Sequence, residues 1–140
     1  MTNGGAQQDG YGRNTAMISR RDSGAIIGAM AHRDLNVLDA AERAAAKIDE
    51  LIDRAPRRLL HVQQMRKSAQ AVCANIGEAF GRRSGLDRIR VLEIARGEAE
   101  ETIRHLAANF KRRRIDASDY WPVHNLYVVI VKMLNAIINS

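Results

Sequence analysis

From Leu35 to the C-terminus the apolar residues recur at alternating spacings of three and four, interrupted only by short polar breaks. That period lines one face of an α-helix and excludes a half-buried sheet, whose faces alternate every second residue. The first run, 33–53, aligns Leu38, Ala41, Ala45, Ile48 and Ile52, flanked by Val37, Ala44 and Leu51. Pro56 and its neighbours break it. The second, 57–80, aligns Val62, Met65, Ala69, Val72, Ile76 and Ala79. A turn at 81–85 follows, where Ser84 is placed to cap the third helix with Asp87 three residues on, a capping-box spacing. The third run, 86–113, carries Ile89, Leu92, Ala95, Ala99, Ile103, Leu106 and Phe110. The fourth opens at Ser118 or Asp119 with Pro122 in its first turn, and aligns Tyr120, Val123, Tyr127, Ile130, Leu134 and Ile137. Its "LYVVIVKML" stretch is rich in β-branched residues, but seam spacing over nearly the whole run favours helix. Four amphipathic helices with short turns predict an all-α, antiparallel up-down-up-down four-helix bundle over 31–140.

Residues 1–30 differ. The first 24 are rich in Gly, Asn, Gln, Ser and Arg without an apolar period, and read as a flexible N-terminal tail. Arg20-Arg21 precedes an apolar run, but 25–31 is short for an export signal and is closed by His32, Arg33 and Asp34. The most apolar later run is interrupted by Lys132, so a cytoplasmic protein is expected. A single cysteine excludes an internal disulfide framework.

No catalytic pattern emerges, and neither an enzyme activity nor a cofactor is expected. Bundle di-iron sites use Glu-x-x-His, yet none of His32, His61, His105 or His124 follows a glutamate at that spacing. Cys73 lies beside the seam of the second helix, as a buried small hydrophobe does. Gly77, Gly81 and Gly85 lack the context of a phosphate-cradling loop, so no metal or nucleotide is implied. Glu98, Glu100 and Glu101 form an acidic cluster, but Arg96 and Arg104 each lie four residues from Glu100, which reads as a solvated, salt-bridged face.

The stretch "ANIGEAFGRRS" is unusual for a helix, because glycine costs roughly 1 kcal/mol relative to alanine there. Gln64, Ser68, Ala71, Asn75, Glu78 and Arg82 form a second stripe beside the apolar seam. The expectation is a structural polar cluster of Asn75, Glu78 and Arg82 answered from the third helix by Glu101 or Arg96. Gly77, Ala79 and Gly97 would allow the backbones to approach closely. A ligand site is the competing reading.

These residues carry a resemblance. "QQMRKSAQAVCANIGEAFGRRS" is similar to the signature of the four-helix-bundle proteins encoded by intervening sequences in bacterial 23S rRNA genes, matching at Gln64, Arg66, Ala69, Ala74, Asn75, Ile76, Glu78, Gly81, Arg82 and Ser84. "VLEIARGEAEE" resembles that family's second block through Leu92, Ile94, Ala95, Gly97 and Glu101. Departures are Ala71, Cys73, Gly77, Ala79 and Glu98, where the family usually has serine, proline, alanine, glycine and serine. The resemblance implies a cytoplasmic, non-enzymatic bundle that assembles as a ring, typically a homopentamer. A related branch serves as the accessory protein of diversity-generating retroelements and binds a reverse transcriptase and nucleic acid.

The net charge of +6 points to an anionic partner. In an antiparallel bundle Arg54, Arg57 and Arg58 share a pole with Lys111, Arg112, Arg113 and Arg114, and the opposite pole carries Arg82, Arg83, Arg88 and Arg90. With few aromatics near either pole, phosphate contact should dominate over base stacking, with weak sequence specificity for RNA or DNA. The fourth helix has more apolar surface than one core can bury, so Leu126, Val128 and Val131 are candidates for a homo-oligomer interface. The expected function is an oligomeric nucleic-acid-binding accessory protein without membrane contact. The alternative is a protein-binding assembly scaffold that binds no nucleic acid.

Overall fold

The computed structural model describes residues 32–140; the tail expected at 1–30 lies outside them. Four helices follow one another: α1 His32–Arg54, α2 Val62–Ala79, α3 Gly85–Lys111 and α4 Ala117–Ile138. Each packs on its sequence neighbours, and α1 also packs on α4, which closes the bundle into an up-down square. The seam residues Ile48, Met65, Val72, Ile76, Leu92, Leu106, Ile130 and Leu134 are fully buried. Each such side chain contributes about 1.5–3 kcal/mol through removal from water.

The rotational setting of the helices differs in detail from the sequence pattern. On α1 the flanking residues Val37, Ala44 and Leu51 are buried, whereas Leu38 and Ala45 are only partly covered. Val62, Ile103, Phe110 and Ile137 are likewise partly buried against the core. Ala71 and Ala74, off the α2 seam, are buried as well, and α2 packs on both α1 and α3.

Helix α2 begins at Val62, later than the pattern starting at 57 suggests. Residues 55–61 form turns: the N–H groups of Arg58 and Leu59 both reach back to Ala55 O. His61 then adopts φ 57°, a left-handed backbone that ends the turn before the helix can start. At the other end Ser84 does cap α3, its Oγ accepting from Asp87 N at 3.4 Å, while the Asp87 carboxylate pairs with Arg90.

Pro122 lies inside α4, past the first turn expected of it, because the helix opens at Ala117. The proline lacks the N–H that would reach the carbonyl of Ser118, an exposed residue with access to water. Helix α4 is long and apolar enough by length and composition to cross a bilayer. Within the bundle its Tyr120, Val123, Tyr127, Ile130 and Leu134 are buried in the core.

Candidate nucleic-acid interface

The end of α1, the start of α2, the end of α3 and the start of α4 meet at one pole, and two connecting turns meet there. Buried Leu59 anchors the first turn and buried Ile115 the second. The turns are tied reciprocally. Arg58 Nη2 donates to Arg113 O at 3.0 Å, and Arg114 Nη1 donates to Arg58 O at 3.2 Å. The α3 end also closes on itself, with Arg114 N donating to Asn109 O at 2.8 Å and Arg113 in the left-handed region at φ 59°.

Thus residues far apart in sequence are brought together as the topology requires. Arg57, Arg58 and the run Lys111, Arg112, Arg113 and Arg114 are all exposed. Carbonyl contacts fix Arg58 and Arg114 without neutralising them. Arg54 is different: its guanidinium pairs with Asp119 at 3.2 Å. Asp119, on the first turn of α4, is therefore an acid of this pole in addition to Asp53 and Asp116, and Asp53 is itself engaged by Arg66 at 3.5 Å. Like charges held this close repel one another, and a bound polyanion relieves that repulsion.

The opposite pole is more nearly compensated. Arg82 pairs with Glu78, Arg90 pairs with Asp87 at 2.7 Å, and Arg88 donates to Arg82 O at 3.2 Å. Arg83 is exposed and has no carboxylate partner among the described residues.

The polar stripe of α2 is the surface packed on α3, but its connections differ from those expected. Asn75 is buried and turns its amide back to Ala71 O at 2.8 Å, while Glu78 pairs with Arg82 in the turn that follows α2. Glu101 lies 3.4 Å from His105 on its own helix, and Arg96 reaches Asn135 of α4 at 2.7 Å. A buried polar link between α2 and α3 is instead the pair Ser68–Thr102, with hydroxyls 2.7 Å apart. Neither Gly77 nor Gly97 marks a close approach, because an added Cβ would meet nothing within 4 Å. Ala71 and Ala79 on α2 are buried.

The acidic face on α3 is also arranged differently, with Arg96 nearer Glu93, at 4.0 Å, than the expected Glu100. Burial and the neighbouring Glu101 raise the Glu98 carboxyl above its usual range, and Lys67 partly opposes this. Partial burial pushes the Cys73 thiol up to about 12, so it stays protonated at neutral pH, whereas the thiolate is the nucleophilic form.

Of the candidate oligomer contacts on α4, Leu126 and Val131 pack partly against the bundle's own core. Val128 is half-buried, and Val129 beside it is 45% exposed. Val129 is therefore the more available apolar side chain, a distinction that periodicity alone misses.

Two further features escaped the sequence reading. Asn109, fully buried on α3, grips the first turn. An asparagine three residues past Leu106, in the middle of an apolar seam, was the available signal. The second is a ring cluster, Phe110, Tyr120, Trp121 and His124, at the cationic pole. The antiparallel topology that gathers the cations also gathers these rings, since Phe110 precedes Lys111 and Tyr120-Trp121 lies near the start of α4.

The profile of the 23S rRNA-intervening sequence protein family matches residues 33–136. A crystal structure of a protein of unknown function from the S23 ribosomal protein family of Bacteroides thetaiotaomicron is similar to the chain, with a TM-score of 0.73 and 29% sequence identity. The similarity covers 77% of this chain and 99% of that one. No curated protein matches significantly.

Proposed function

The chain belongs to the 23S rRNA-intervening sequence protein family, and on that premise we propose that it is a non-enzymatic, oligomeric, cytoplasmic accessory protein that binds nucleic acid through its phosphates. The observation that carries this reading is the interlocked pair of cationic turns. Arg58 and Arg114 are fixed on each other's backbones, and Arg57, Lys111, Arg112 and Arg113 are exposed around them. Such an array is built before the ligand arrives, so less side-chain entropy is lost on binding. Phosphate contact makes affinity salt-dependent and nearly indifferent to sequence.

In a homopentameric ring with parallel bundle axes, this pole repeats around the ring as a positive annulus. A reverse transcriptase of a diversity-generating retroelement is one partner whose RNA or DNA such an annulus would support. Apolar side chains left in water on α3 and α4, among them Leu86, Ile94 and Val129, favour a second reading, an assembly scaffold that binds protein only.

A salt titration of RNA and DNA binding separates the two. Log affinity should fall linearly with log salt, and neutralising Arg112, Arg113 and Arg114 together should flatten the slope by up to about 3. The helices should remain intact, because all three side chains are exposed. A triple variant with unchanged affinity and slope would remove this pole from the mechanism and leave the scaffold reading.

A further inference from the structure

Trp121 is the chain's single tryptophan, and it is 47% exposed on the first turns of α4. Three rings hold it in place. Its centroid lies 5.7 Å from Phe110, 4.8 Å from Tyr120 and 5.1 Å from His124, with interplanar angles of 70°, 69° and 80°. Phe110 and Tyr120 in turn stack flat on each other, 4.2 Å apart and 2° from parallel. None of the three rings lies parallel to the indole, so no ring among the described residues stacks face to face on it. Tyr120 is buried and fixes the cluster to the core.

The cluster is built from the same two helix ends as the cationic turns. Phe110 immediately precedes the run Lys111, Arg112, Arg113 and Arg114, and Trp121 lies two residues beyond Asp119, which holds Arg54. Cations beside an aromatic ring already ordered by packing form the combination that binds single strands: phosphates lie on the charges and a base stacks on the ring. A duplex keeps its base faces within its own stack and cannot use such a ring.

We propose that Trp121, backed by Phe110, Tyr120 and His124, is a stacking platform for an unpaired nucleobase of a single-stranded nucleic acid whose phosphates lie on Lys111, Arg112, Arg113 and Arg114. The inference rests on the phosphate-binding reading above and adds the strand class. Charge favours this occupant over a second copy of the chain. A copy docking through the same surface would bring a second set of these cations against the first.

The sole tryptophan makes the test direct. Full-length protein is titrated with a single-stranded oligothymidylate, with an abasic deoxyribose-phosphate oligomer of equal length, and with a duplex, while indole fluorescence and anisotropy of the labelled strand are followed. The oligothymidylate should quench the indole and bind on the order of tenfold tighter than the abasic strand, which should leave the fluorescence unchanged. Trp121→Ala should lose that tenfold without altering abasic or duplex binding, and Trp121→Phe should recover part of it. Equal affinity for the two single strands without quenching would overturn the platform and leave the phosphate reading standing. Failure of all three probes to bind would overturn both. Indole emission that shifts with protein concentration but not with oligonucleotide would assign Trp121 to contact between copies and also overturn the proposal.

Discussion

Asn109 on α3 hydrogen-bonds both backbone groups of Leu60 in the turn before α2. Its Oδ1 accepts from Leu60 N at 2.6 Å and its Nδ2 donates to Leu60 O at 3.1 Å. The same Nδ2 also donates to His105 O at 2.9 Å. One side chain thereby substitutes for the strand or helix partner that this irregular backbone lacks, and it holds the Arg57-Arg58 turn against the end of α3. Asn109→Ala should lower stability by about 2–3 kcal/mol in urea unfolding, because it leaves the Leu60 N–H and carbonyl without their partner. Asn109→Asp should cost at least as much, because it sets a carboxylate oxygen against the Leu60 and His105 carbonyls at a fully buried site. A loss under about 0.5 kcal/mol for the alanine variant would show that water replaces the clamp.

Gly77→Ala and Gly97→Ala should each stabilise the protein by about 1 kcal/mol, the helix-propensity difference. The added methyl meets nothing within 4 Å at either site. Thermal melting of the single variants provides the check. A loss of stability at either position would mean that another surface of the assembled protein approaches that backbone.

Val129→Glu should shift the assembly toward monomer in light scattering and leave subunit helicity unchanged, since 45% of Val129 is in water. Val131→Glu should instead unfold the subunit, at a cost of about 2 kcal/mol or more, because Val131 packs against the core. A parent protein that is monomeric at micromolar concentration defeats the oligomer reading.

Stability should fall at high pH through Cys73. Burial, with Glu42 adding to it, raises the thiol from its ordinary 9.0 to about 12, so the folded state favours the neutral form. That contribution is complete below pH 9.0 and is lost as pH climbs toward about 12. Burial also raises the Tyr127 phenol above its ordinary range, which acts in the same direction. Urea unfolding between those limits should show a shallower decline for Cys73→Ala than for the parent. Identical declines would mean that the thiol does not sense burial.

Much of the architecture is legible in the sequence because helical period is a local property. The spacing of Met65, Ala69, Val72 and Ile76 makes a helix whatever surrounds it. The position of Ser84 and Asp87 marks where α3 begins for the same reason. Connectivity extends this: once the helices are antiparallel, the cations around Arg57 and those around Arg112 must share a pole.

Choices that depend on a partner were not legible. Whether Val37 or Leu38 points inward is decided by how α1 is rotated against α2 and α4, a balance of contacts from distant parts of the chain. The start of α2 is displaced by a clamp from Asn109, 49 residues away from Leu60. Arg54 loses its free charge to Asp119, and Glu101 turns to His105 and not to Asn75, because ion pairs form with whichever group packing leaves within reach. The exposed indole of Trp121 gains its support only when the end of α3 lies beside the start of α4. Local spacing sets which segments are helices; side-chain volume and hydrogen-bond satisfaction across helices set which residues meet.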